Sequence, residues 1–142
     1  MRRYETIFIL RPNAGEEEIQ RVIDSTIGVI TSENGQVIEL NKWGMKKLAY
    51  LIKKESLGFY VYLDYAGTPA AVSELERKFR IDDAVIKYMT VKTDDDITAE
   101  EIKLAIAAFE AAVASAEAEA ETEGEDTENS TDDEKKSDSE ED

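Results

Sequence analysis

The chain has 142 residues, of which 42% are hydrophobic and 35% charged, and its net charge is −16 at pH 7. It contains no cysteine and no histidine, which excludes disulfides, thiolate nucleophiles, Cys-ligated metals and imidazole acid–base or metal chemistry. The charge is uneven: residues 1–93 hold 14 Lys/Arg against 13 Asp/Glu and residues 94–142 hold 3 against 20, so a near-neutral body precedes an acidic extension.

Arg3–Leu10 is rich in β-branched and aromatic residues and runs into Arg11-Pro12-Asn13, which predicts a strand followed by a turn. Its apolar stretch Ile7–Leu10 is far shorter than the roughly 7–15 residues of a signal-peptide core. No apolar run approaches the ~20 residues that cross a bilayer, so a soluble, cytoplasmic protein with no membrane contact is expected. Asn13 is a candidate cap for a helix that opens on Glu16, Glu17 and Glu18, acids placed at the positive end of the helix dipole. Ile19, Val22, Ile23, Ile27 and Ile30 form its apolar stripe, and Asn34-Gly35 closes it.

Residues 36–53 read as one long strand with a bulge near Gly44. A turn over Lys54–Leu57 is expected next, and then the strand Gly58–Tyr65. Thr68-Pro69 opens a second helix with a cap and a proline at its first position. Val72, Leu75 and Phe79 supply its buried stripe, Asp82-Asp83 interrupts, and Val85–Lys92 is the last strand.

The order β-α-β-β-α-β is that of an α+β, ferredoxin-like fold. Right-handed crossovers place both helices on one face of a four-stranded antiparallel sheet, in the strand order β4-β1-β3-β2. The other face is left without a cover. Alternation gives that face apolar or aromatic residues on either assignment, which points to a partner.

Thr98-Ala99-Glu100-Glu101 is a capping box. Ile102, Ile106, Phe109 and Val113 follow at helical spacing, which predicts a helix over 97–121 with a narrow apolar stripe. An isolated helix of that kind is marginal in water, so it must dock or fray. Residues 122–142 lack an apolar anchor and are expected to be disordered. The expected division is thus a domain over 1–93 and an acidic extension over 94–142.

Cations gather at Arg2-Arg3, at Lys42, Lys46 and Lys47 around the bulge, at Arg77, Lys78 and Arg80 ending the second helix, and at Lys87 and Lys92. Neighbouring strand ends would let Arg2 and Arg3 approach Lys87 or Lys92. With Tyr4, Trp43 and Tyr88 interleaved, the pattern suits RNA, whose phosphates take charge and whose bases take aromatic faces. Lysines on edge strands also serve simply to block aggregation. Tyr50 is expected to pack in the core. An acylphosphatase-like reading fails at Arg11-Pro12, because the proline removes an N–H that a phosphate cradle needs. The sensor domains that share this topology normally accompany a catalytic domain.

The string Gly44-Met45-Lys46-Lys47-Leu48-Ala49-Tyr50-Leu51-Ile52-Lys53, with Met1-Arg2-Arg3-Tyr4-Glu5 at the start and Val91-Lys92 at the end, resembles the bacterial small-subunit ribosomal protein number six family over residues 1 to about 93. The resemblance implies a non-enzymatic structural protein. It would bind small-subunit ribosomal RNA together with ribosomal protein number eighteen, as a heterodimer in the central (platform) domain. It implies RNA contacts by Arg2, Arg3, Tyr4, Lys46, Lys47, Lys87 and Lys92, beside Trp43 as a stacking or packing residue, and no metal, cofactor or small-molecule substrate. The acidic extension lies outside it, and is expected to be a solubilising tail or a repeller of non-cognate RNA. The rival reading is a protein–protein module that pairs with itself through the open sheet face.

Overall fold

A computed structural model describes residues 1–128, with side chains through residue 121. The elements are β1 (Arg2–Leu10), α1 (Glu16–Ser32), β2 (Gln36–Ile52), β3 (Glu55–Gly67), α2 (Pro69–Ile81), β4 (Val85–Asp94) and α3 (Ala99–Glu128). The strands form one antiparallel sheet in the order β2-β3-β1-β4, so the ferredoxin-like architecture read from the sequence is the one observed.

Local chemistry accounts for most of the boundaries. The Thr68 side chain accepts from the Ala71 N–H at 3.2 Å and Pro69 opens α2, a cap and a pre-set φ side by side. Asn13 does not cap α1, contrary to expectation. The Ala14 N–H donates to the Arg11 carbonyl at 3.1 Å, so Pro12 and Asn13 are used up in a turn and the uncapped Gly15 starts the helix. At the other end the Gly35 N–H donates to the Ile30 carbonyl at 2.8 Å while Asn34 takes φ 62°, the left-handed closure that Asn tolerates. Gly44 has φ 87° and sits where the β2–β3 register shifts between Lys42 and Gly44, so the bulge in the long strand stands where its glycine implies.

The β2–β3 connection differs from its prediction. Ile52 pairs with Glu55, leaving Lys53 and Lys54 as a two-residue loop with φ 48° and 67°. Two left-handed residues in a tight hairpin are the type I′ geometry, for which Asn-Gly is the usual signal. A Lys-Lys pair carries no such signal, so the sequence pointed past it.

One sheet face packs on α1 and α2. Phe8, Leu10, Val61, Leu63 and Tyr65 meet Ile23, Ile30, Leu75 and Phe79 in the main core, and the Phe8 and Phe79 rings stack at 4.9 Å. Each such side chain contributes about 1.5–3 kcal/mol on burial. Thr6 is fully buried among them; its hydroxyl bonds the Tyr65 hydroxyl and the Thr90 hydroxyl, each at 3.0 Å. Burial pushes the Tyr65 phenol up to about 12, so it stays a neutral partner in that chain.

The opposite face is not wholly uncovered, and here the expectation needs correction. Ile38 and Ala66 point away from Val37 and Tyr65, which pack on the main core, and join Ile97 and Ile102 in a second buried cluster with Ala105 and Ile106 against it. The Ile97 N–H donates to the Met1 carbonyl at 2.7 Å. The capping box then forms reciprocally: the Glu101 N–H donates to Thr98 Oγ1 at 3.2 Å and the Thr98 N–H to Glu101 Oε2 at 2.8 Å. The first compact unit accordingly runs from Met1 to Ile106. The second, from Ala107, is described as far as Glu128 by the remainder of α3, which passes its expected end at 121. The disorder expected over 122–142 falls, for 129–142, outside the described residues.

Ile102→Ala removes a buried side chain from that second cluster and is expected to lower the unfolding free energy by about 2–3 kcal/mol in urea titration. A loss below about 0.5 kcal/mol would mean that the start of α3 contributes nothing to the fold.

Candidate nucleic-acid interface

Along the strands, the face turned away from α1 and α2 divides into three zones. At one end α3 covers Ile38 and Ala66. The middle is charged. Arg3 on β1 donates to both carboxylate oxygens of Asp64 on β3, at 3.0 and 2.6 Å, and the Asp64 side chain is only 5% exposed. Glu5 and Glu39 face the same Asp64 across the sheet. Burial, then Asp64 and Glu5, push the Glu39 carboxyl above its ordinary value, and burial followed by Glu5 raises the Tyr62 phenol. One arginine among three carboxylates leaves this strip unfavourable for a phosphate backbone.

At the far end the register slips between Lys47/Leu57 and Ile52/Glu55, so Leu48–Leu51 bulge out of the ladder. Leu48 swings onto Ile9 and Ile86 in a third buried cluster. Gly58 is required beneath it, because a Cβ there would land on the Ile9 Cγ2 methyl. Between this bulge and the sheet lies a groove of about 230 Å³ lined by Ile7, Ile9, Tyr50, Tyr60, Lys87 and Met89. Its walls are largely apolar, and Lys87 brings a cation to its lining.

The residues predicted for RNA fall into separate groups. Arg2, Arg3 and Lys92 share the end where β1 begins and β4 finishes, with Tyr4 opposite Lys92. Lys92 lies 2.5 Å from Asp95, the N-terminal amine 3.4 Å from Asp96, and Arg3 is taken by Asp64. Lys92, with Arg2 nearby, holds the Asp95 carboxyl below the usual carboxylate range. Tyr4 is 6% exposed and its ring stacks on Tyr65 at 5.7 Å. It is a core residue with no face to offer a base, because its position in β1 has the same parity as Phe8 and Leu10.

Lys46, Lys47 and Lys87 stand at the other end. Lys46 lies 5.0 Å from the Trp43 ring centroid and 6.0 Å from that of Tyr60, and Trp43 stacks on Tyr62 at 5.4 Å with 7° between planes. Lys87 donates to the Tyr50 hydroxyl at 2.6 Å. Lys87 pairs with Ile9 and not with the start of β1, so it does not join Arg2 and Arg3. At a rise of ~3.3 Å per residue, roughly 25 Å of β3 separates the partner of Arg3 from that of Lys46. Tyr50 is not in the core: it is 62% exposed. Alternation gave it the parity of Leu48 and Ile52, and the bulge breaks that period. Among the described residues no group of three or more His, Cys, Asp or Glu could hold a metal ion, and no helix is long and apolar enough to cross a membrane.

The family model for ribosomal protein S6 matches residues 3–92, the body that carries this sheet. The chain belongs to the ribosomal protein S6 family. Its relatives include the small ribosomal subunit protein bS6 of Desulfotalea psychrophila, 57% identical over 117 residues that make up 80% of this chain and 74% of the relative. That of Desulforapulum autotrophicum is 46% identical over 79% of this chain and 72% of its own length. Among solved structures, the 30S ribosomal protein S6 of Thermotoga maritima is similar with a TM-score of 0.60 at 30% identity, covering 64% of this chain and 86% of that one. The S6 match ends at residue 92, before the segment through which α3 docks.

Glu39 gives a pH test of the charged strip. Its folded-state pKa is raised, so ionised Glu39 costs stability that is absent below ~4, where the carboxyl is neutral folded or unfolded. The cost appears as pH rises through the raised value. Glu39→Gln is therefore expected to raise the unfolding midpoint at pH 7 and to lose that advantage by pH 3–4. An equal gain at both pH values would contradict the assignment.

Proposed function

We propose that this S6-family chain is a non-catalytic structural component of the small ribosomal subunit. In this reading it works in the cytoplasm and binds small-subunit ribosomal RNA in the central domain together with ribosomal protein number eighteen. The observation that carries the reading is the groove at the hairpin end: an apolar hollow on a sheet face that α1 and α2 do not cover, with Lys87 in its lining and Lys46 and Lys47 at the same end of the sheet, none of the three in an ion pair among the described residues. Apolar area of this kind suits a protein surface. The cations beside it suit phosphates, which bind through counterion release and carry little sequence information themselves. Of the residues predicted to touch RNA, Lys46, Lys47 and Lys87 fit best, with Trp43 held beneath Lys46. Arg2 remains exposed and open to a phosphate. Arg3 and Lys92 would have to leave Asp64 and Asp95 first. The body up to Ile106 is the binding unit, and the acidic remainder is a solvated extension.

Binding is measured on the full chain with small-subunit ribosomal RNA, with and without ribosomal protein number eighteen. Tight binding is expected only with the partner present. Lys46→Gln with Lys47→Gln should weaken it and flatten the slope of log affinity against log salt by about one unit per lost phosphate contact. An unchanged slope would remove those residues from the interface. A stable homodimer indifferent to RNA would replace the whole reading with self-association.

A further inference from the structure

The hairpin that joins β2 to β3 turns on two consecutive lysines, Lys53 and Lys54, both in the left-handed region at φ 48° and 67°. A non-glycine residue there is destabilised relative to Gly or Asn. A tight hairpin of this register has a better local solution in Asn-Gly, so two lysines in succession work against the stability of the turn. Strain of this kind is characteristically held at functional sites.

What surrounds the turn gives the strain a purpose. Lys47 is the last residue in register before the bulge, paired with Leu57, and Lys53 reaches back to the Val85 carbonyl at 3.5 Å. Lys87 lies over the Tyr50 ring, 5.2 Å from its centroid. Tyr50 is exposed on the same bulge, as is Leu51. Among the described residues Lys46, Lys47, Lys53, Lys54 and Lys87 form no ion pair, whereas the N-terminal amine, Arg3 and Lys92 at the opposite end of the sheet are each paired with a carboxylate. Both ends carry cations. At the N-terminal end Arg2 alone is left out of these pairs, whereas the hairpin end keeps five lysines outside any ion pair among the described residues, next to the exposed Tyr50 ring.

We propose that the hairpin tip is a second RNA contact of this protein: Lys53 and Lys54 bind phosphates of an unpaired strand, and Tyr50, oriented by Lys87, stacks on one of its bases. The proposal rests on the RNA-binding reading above and extends it to residues outside the Lys46-Lys47 pair. Lysines on a tight turn can reach phosphates on either side of a strand, and an aromatic face accepts any base, so the contact adds affinity and salt dependence rather than sequence choice.

The discriminating variant is Lys53→Asn with Lys54→Gly, which installs the residues the turn prefers. It should raise the thermal midpoint of the full chain. In the presence of ribosomal protein number eighteen it should weaken binding to small-subunit ribosomal RNA about tenfold at ~0.1 M salt, and flatten the salt slope by about 1.5. Tyr50→Leu should weaken binding several-fold and leave the slope unchanged. If the turn variant is more stable and binds RNA as the unmodified protein does, the lysines are structural and the proposal fails. It fails too if affinity for the partner protein alone falls while RNA binding through the complex is otherwise intact, because the tip would then be a protein contact. Lys46→Gln with Lys47→Gln serves as the reference. Weakening there with none at the tip overturns this proposal alone, and no RNA binding by the unmodified complex overturns the functional reading with it.

Discussion

Two helices can roof only one face of a four-stranded sheet, and everything particular to this protein follows from how the second face is managed. Tyr4, Phe8, Val61, Leu63 and Tyr65 satisfy the roofed side. Their alternating neighbours must be covered, paired or exposed, and the strands use all three solutions in sequence from one end to the other. The start of α3 covers Ile38 and Ala66, Arg3 neutralises Asp64, and the bulge at Leu48–Leu51 leaves an apolar groove. A charge pair as enclosed as Arg3–Asp64 adds little net stability. It divides the face so that apolar surface does not run continuously along it.

That division also sorts the cations. Carboxylates of the Asp94–Asp96 segment fall beside the start of β1 because β4 runs antiparallel to it, and they occupy Lys92 and the N-terminal amine. Asp95 and Asp96, at the start of the extension, therefore act on the body's own basic groups at this end. The hairpin end, separated by roughly 25 Å of strand at ~3.3 Å per residue, keeps its positive field. A phosphate backbone approaching this protein meets repulsion in the middle of the sheet and attraction at the tip.

Much of this was legible in the sequence wherever structure is set by neighbours in the chain. The Thr68-Pro69 start of α2, the Gly44 bulge and the Thr98–Glu101 capping box each rest on contacts within a few residues, and each stands where its local signal lies. What was hidden depends on register. Arg3 and Asp64 lie sixty-one positions apart, and nothing local marks them as partners. Tyr4 looked like a binding aromatic because it follows two arginines, but its parity with Phe8 puts it inside. Tyr50 looked like a core aromatic because it shares parity with Leu48, but a break in pairing after Lys47 cancels that parity. The Ile102–Ile106 stripe announced that α3 had an apolar face without saying which surface would receive it. The family resemblance, resting on Gly44–Lys53 and Met1–Glu5, supplied the family, where local physics alone left the basic residues open between RNA binding and edge protection.

The central claim, that the amines free of carboxylate partners lie at the hairpin end rather than the N-terminal end, is tested most directly by amine-reactive footprinting of the full chain read by mass spectrometry. The free protein is compared with its complex containing small-subunit ribosomal RNA and ribosomal protein number eighteen. Strong protection is expected at Lys46, Lys47, Lys53, Lys54 and Lys87 on addition of RNA, with little change at Lys92. Protection centred on Lys92 and the N-terminal amine, with the hairpin lysines as reactive as before, would contradict the account.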